Sequence, residues 1–280
     1  MKQSVRAVGL AVTVATIILI AFIATMVYSL YTTVATGKAI GLGEPTYTLT
    51  DGALTIAMPL YINNTGLYDM TDINITTIVV VAPLGREGAG QPVEIASATT
   101  VIPAVRRGST AEEIHELTIS LTEILERNLT FLLFEEAEMY TNIAVSFTYA
   151  KAMTFSVSAE GIEVPWGPPL YGLNVSDLTV ELEDAMTVAK VCVGFENRSP
   201  MDLSGALTVE LRNAHGEVFS TGTVDLNAPS MTAWRGVVSM PVEDPSLVTS
   251  EGEVWLYVSV GGVTVGPIVI PYSGLVWWWP

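Results

Sequence analysis

Two stretches of this chain repeat one another, so the fold has to accommodate one motif twice. "YINNTGLYDM" (residues 61–70) aligns with "GFENRSPMDL" (194–203): Asn64 with Asn197, Gly66 with Ser199, Asp69 with Asp202, Met70 with Leu203. The flanks agree in kind. "ALTIAMPLYI" and "AMTVAKVCVGF" lead in, and "INITTIVVV" and "ALTVELRN" follow. "IEVPWG" closes the first copy as "IVIPYS" closes the second. Self-similarity of this length means one structural unit used twice. It predicts domains over residues 45–170 and 171–280, with extra length in the first and "PWGPPLYGL" as the hinge.

The local pattern is that of strands. Apolar and polar residues alternate in "TFSVSA", "LTVEL", "ALTVEL" and "VWLYVSV", which are rich in Thr, Val and Tyr. Turn signals ("NNTG", "NAHGE", "NAPS", "SVGGVT") interrupt at short intervals. Many short strands with regular turns predict antiparallel sandwiches rather than βαβ units. In the extra length of the first copy, Leu121, Ile124 and Leu125 fall at helical spacing after Ser120 or Thr122 as N-cap. A short helix covering one end of the first sandwich is expected there.

The repeated unit resembles the water-stress and hypersensitive-response (WHy) domain of late-embryogenesis-abundant type-2 proteins. The likeness runs through "VCVGFENRSPMDLSGALTVELRNAHGEVFSTGTVDLNAPSMTAWRGVVSMPV" in the second copy. In the first it runs through "LYINNTGLYDMTDINITTIVVV" and "EIASATTVIPAVRRGS". Asn197, Arg198 and Ser199 stand where that family has Asn-Pro-Asn. The resemblance implies a seven- or eight-stranded sandwich and no catalytic activity. The whole plan, an N-terminal anchor and two such modules, resembles archaeal membrane proteins.

That anchor is expected from residues 7–37, which carry no charge between Arg6 and Lys38. A spanning helix needs about 20 apolar residues, and a secretory signal core only about 7–15. With Lys2 and Arg6 in front, residues 1–6 are expected in the cytoplasm, 7–37 in membrane lipid and juxtamembrane, and the rest outside the cell. The localisation expected is thus the cell membrane, crossed once, with Tyr28 and Tyr31 at the outer interface. A second reading is open: "RAVGLAVTVATIILIAF" resembles the start of archaeal type IV pilin-like proteins, with a cut at Arg6-Ala7 and an apolar assembly helix after it.

Charge narrows the partners. The chain has a net charge of −17, and without Lys2 and Arg6 the remainder holds 10 basic groups against 29 acidic ones, or −19. Nucleic acid and anionic lipid both repel such a surface, which argues against either as the main partner. The partners expected are lipid through residues 7–37 and an envelope protein or a second copy. Cys192 is the only cysteine, so no intrachain disulfide forms, and its apolar context predicts burial.

Chemistry-bearing motifs are sparse, and no cofactor is expected. His115 and His215 have no neighbour at metal-ligand spacing; a hairpin turn is expected for His215 and a surface or edge position for His115. Asp69 and Asp72 beside Asn63 and Asn64 offer oxygens to calcium, against the alternative of a turn capped by its own side chains. Glycosylation sequons stand at Asn63, Asn74, Asn128, Asn174 and Asn197. Residues 275–280, "LVWWWP", place Trp277, Trp278 and Trp279 in succession. They are expected to close the end of the second sandwich, to dock on a neighbouring protein, or to return to the membrane interface. The function expected is a non-enzymatic, membrane-anchored exterior protein with an interaction or envelope-structural role. The alternatives are a pilin-like filament subunit with a cleaved N-terminus and a surface hydrolase whose site the sequence does not mark.

Overall fold

The computed structural model describes residues 2–35, 39–82, 92–184 and 186–275. Helix α1 (Lys2–Ala35) runs for 34 residues, about 50 Å at 1.5 Å per residue. Its Val, Ile and Thr are ordinary strand formers. A lone apolar segment with no partner strand satisfies its backbone internally only as a helix.

The first antiparallel sandwich comprises β1 (Ile40–Leu42), β2 (Thr46–Thr50), β3 (Ala53–Asn64), β4 (Met70–Val81), β5 (Val93–Val105), β6 (Ser109–Ser120), α2 (Leu121–Glu126), α3 (Phe131–Phe134), β7 (Ala137–Tyr149) and β8 (Met153–Trp166). In one sheet β1 and β2 pair with successive parts of β3, and β6 pairs with its other side. The facing sheet has the order β5-β4-β7-β8. The second sandwich comprises β9 (Tyr171–Glu183), β10 (Met186–Asn197), β11 (Leu203–Asn213), β12 (Val218–Ala228), β13 (Thr232–Pro241), a 3-10 turn (Pro245–Leu247), β14 (Glu251–Val260) and β15 (Val263–Ser273). Its sheets read β9-β10-β13 and β12-β11-β14-β15. Each strand therefore has a counterpart in the first sandwich, with β9 standing for β1 and β2 together.

Alternation explains the core. On β10, Ala189, Val191, Val193 and Phe195 are buried, and on β11 Leu207, Val209 and Leu211. Cys192 breaks the rule: it faces outward yet is buried, because Arg235 lies over it with Nε donating to Sγ at 2.7 Å. Ser120 is the N-cap of α2, accepting from the Glu123 N–H; α3 follows as a second helical turn. Their apolar side chains join a core that continues through both sandwiches, from Ile124 and Leu132 to Leu170, Met201 and Leu203.

The sandwiches stack end to end. The β2–β3 turn meets the β14–β15 turn, with the Gly52 N–H donating to the Gly261 carbonyl. Arg198 bonds Glu136 at 2.5 Å across the junction. The stretch expected to be a hinge is pinned instead: Trp166 Nε1 donates to the Leu132 carbonyl at 2.7 Å, and Leu170 is buried with its N–H on the Leu133 carbonyl. Residues 40–42 form edge strand β1 against residues 60–62 of β3.

Candidate functional site at the helix-bearing end of the first sandwich

The second half of α1 is part of the first sandwich. Phe22, Met26, Ser29, Leu30 and Thr33 recur at intervals of three or four, so they share one face of the helix. Met26, Ser29 and Thr33 are buried, and Met26 packs with Leu60, Ile62, Met70, Ile73 and Tyr149. Complete burial of a methionine is worth about 1.5–3 kcal/mol. Phe22 and Tyr68 meet edge to face with centroids 5.6 Å apart, and Tyr68 meets Tyr149 likewise at 5.7 Å.

Hydroxyls fix the register. Ser29 Oγ lies 2.6 Å from the Tyr149 hydroxyl and accepts the Leu67 N–H at 2.7 Å. The Tyr68 N–H reaches the Tyr149 hydroxyl at 3.3 Å, and Thr25 Oγ1 lies 3.0 Å from the Tyr68 hydroxyl. Gly66 is required by this approach, because a Cβ there would collide with the Tyr149 hydroxyl. The signal for this docking lies within the apolar run itself: Thr25, Ser29, Thr32 and Thr33 are hydroxyl residues crowded into its second half. The expected anchor of residues 7–37 is therefore divided, with 22–33 held by protein on one side.

The loop beneath the helix is the repeated motif, and both copies make the same bonds. Asn64 Nδ2 donates to the carbonyls of Tyr68 and Val105, and its Oδ1 accepts the Gly66 N–H. Asn197 Nδ2 donates to the carbonyls of Met201, Ala228 and Pro229, and its Oδ1 accepts the Ser199 N–H. Asp69 Oδ1 accepts the Arg107 N–H at 2.8 Å, and Asp202 Oδ1 accepts the Ser230 N–H at 2.7 Å. In the first sandwich this end carries α1. In the second it carries the opposite end of the first sandwich.

The other expected residues fall as follows. Asp69 is occupied by that backbone bond, and Asp72 by the Thr71 hydroxyl at 3.0 Å. Among the described residues no cluster of three His, Cys, Asp or Glu is placed to hold a metal. Asn74, Asn128 and Asn174 are exposed and Asn63 is half-buried. Asn197 must be withdrawn as a glycan acceptor: it is wholly buried with its amide engaged by three carbonyls. His215 sits in the β11–β12 turn, its N–H on Asn213 Oδ1. His115 corrects the expectation of a surface or edge position. It is 3% exposed and bridges the two sheets, with Nδ1 2.8 Å from Thr100 Oγ1 and Nε2 2.9 Å from Thr77 Oγ1. Burial holds its pKa below the usual imidazole range. Trp277, Trp278 and Trp279 lie outside the described residues.

No protein-family model and no curated protein matches the chain. Among solved structures it is similar to red sea bream transglutaminase, at 13% identity over 87% of this chain with a TM-score of 0.27. It spans about a third of that enzyme's chain (32%). The periplasmic chaperone SfaE matches at 11% identity and a TM-score of 0.28, covering 85% of this chain and 100% of that one. Spo0M, a sporulation control protein from Bacillus subtilis, matches at 8% identity and a TM-score of 0.25, covering 72% of this chain and 90% of that one. Likenesses this slight carry no argument.

Proposed function

We propose that the chain is a non-enzymatic, membrane-anchored protein whose two sandwiches stand outside the cell as an end-to-end rod with an interaction or envelope-structural role. The observation that carries this reading is the division of α1. Its residues 22–33 dock on the first sandwich, while Ile17, Ile18, Leu19 and Ile20 before them are 57–64% exposed. In water such surface is unfavourable by about 25 cal/mol per Å²; a bilayer removes that cost. Residues 7–24 form a segment about 27 Å long, close to the roughly 30 Å of a hydrocarbon core. Lys2 and Arg6 then fall on the cytoplasmic side. A secretory signal is also apolar and N-terminal, but a cleaved leader would take Met26 and Ser29 out of the folded core. Kinship with the late-embryogenesis-abundant type-2 family belongs to this proposal and rests on the repeated motif.

The test is alkaline carbonate extraction of native membranes with mass spectrometry of the mature N-terminus. Retention in the membrane with α1 intact supports the anchor. Release, or a mature start beyond Thr33, contradicts it. One observation favours the filament reading as a second: opposite the docked stripe, Ile20, Ile23, Ala24, Val27, Tyr28 and Tyr31 line an open apolar groove along the helix. In a filament, neighbouring helices would fill it. A mature protein starting at Ala7 or Val8 and recovered in filaments would select that reading.

A further inference from the structure

We infer that the helix-bearing end of the first sandwich contacts lipid phosphates directly, through Arg106, Arg107 and Lys151. This rests on the anchor reading and adds a second point of attachment to it.

Among the described residues, the cations of the sandwiches divide into two groups. Arg127, Lys190, Arg198, Arg212 and Arg235 each pair with a carboxylate. Arg106, Arg107 and Lys151 are exposed and pair with none among the described residues. These three share one end of the molecule. Arg106 and Arg107 form the β5–β6 turn, and Lys151 lies in the β7–β8 turn. Asp69 ties both turns to the loop under α1: its carboxylate accepts the Arg107 N–H, and its carbonyl accepts the Ala150 N–H at 3.1 Å. Leu67, at the tip of that loop, is 57% exposed while its N–H is held by Ser29 of the helix. An apolar tip flanked by cations, where an apolar helix leaves the fold, suits the headgroup layer.

The second sandwich supplies an internal comparison. Its corresponding turns hold Pro229 and Ser230, and Gly261 and Gly262. The equivalence is fixed by Ser230, whose N–H meets Asp202 as that of Arg107 meets Asp69. That end abuts protein, and a Cβ on Gly261 would press on Leu49 of the first sandwich. The two turns at this fold end are thus uncharged where it meets protein and cationic where the helix leaves. The net charge of −19 outside α1 does not oppose this contact strongly. Screening limits repulsion to about 8–10 Å, and strands of 12 residues reach about 40 Å from the surface.

The experiment compares full-length protein in nanodiscs of phosphatidylcholine alone and of phosphatidylcholine mixed with phosphatidylglycerol, reading the melting temperature. The expected result is a higher melting temperature with phosphatidylglycerol, a difference erased by salt at about 1 M, where the Debye length is about 3 Å. The difference is lost in Arg106→Gln/Arg107→Gln/Lys151→Gln and kept in Arg106→Lys/Arg107→Lys. Circular dichroism of both variants checks that they fold. An equal melting temperature in the two lipids, or a shift that survives in the triple variant, overturns the inference. A comparable rise on adding inorganic phosphate in detergent overturns it too, because the site would then bind free anions. Failure of the anchor itself is read separately, as release from the discs at alkaline pH.

Discussion

Asn64 and Asn197 do the same work at two levels of the molecule. Each side chain replaces strand partners for backbone groups at a sandwich end, where the ladder has stopped. Leaving a buried carbonyl unpartnered costs about 1–3 kcal/mol, and Asn197 serves three of them. Asn197→Ala is therefore expected to destabilise by roughly 3 kcal/mol or more, measured as a fall in the urea midpoint. The sequon reading predicts a glycan where this geometry permits none, so glycopeptide mapping should find Asn197 bare. His115 gives a pH-dependent term. Its folded pKa is lowered by burial, so the folded state binds the proton less readily than the unfolded chain, whose value is about 6.5. Its stabilising contribution is complete above that value and lost as pH falls through it toward the folded pKa. The melting temperature should therefore drop on acidification from pH 7 to 5.5, and His115→Gln should flatten that part of the profile. An unchanged slope in the variant would assign the effect elsewhere.

At the scale of elements, α1 divides into an exposed apolar first part and a second half docked on the sandwich. Its second half is bound by a stripe in which Ser29 meets the Tyr149 hydroxyl and the Leu67 N–H. Tyr149→Phe removes the hydroxyl shared by Ser29 and the Tyr68 N–H, with an expected cost of about 1–3 kcal/mol. Hydrogen exchange should then rise at Leu67 and Tyr68 while the second sandwich keeps its protection. The strands were legible in advance because alternation of period two marks β8, β9, β11 and β14 directly. The repeat placed Asn64 and Asn197 in equivalent loops for the same reason, since short polar motifs between strands can only be turns. The docked stripe was not legible. An all-round apolar helix hides which face meets protein, and only the hydroxyls of its second half break the symmetry. His115 was misjudged because its polarity suggested an edge, whereas Thr77 and Thr100, distant in sequence, make a buried position tolerable.

At the scale of the molecule, the stacking of helix on first sandwich and first on second is what local pattern could not show. It depends on contacts between turns, such as Gly52 with Gly261, and on a Pro- and Gly-rich stretch whose composition suggested a hinge. The bonds from Trp166 and Leu170 remove that freedom. The central claim is that α1 crosses the bilayer with its first part and is held by the sandwich with its second. The direct measurement is the accessibility of nitroxide labels placed singly at Val14, Ile17, Ile18, Ile20, Ile23, Val27, Tyr28 and Tyr31 in nanodiscs. Oxygen, which concentrates in lipid, should reach the labels up to Ile20, while a water-soluble nickel complex should not. Nickel access should begin near Ile23 and be full at Tyr28 and Tyr31. Nickel access at Ile17 and Ile18 equal to that at Tyr31 would contradict the account.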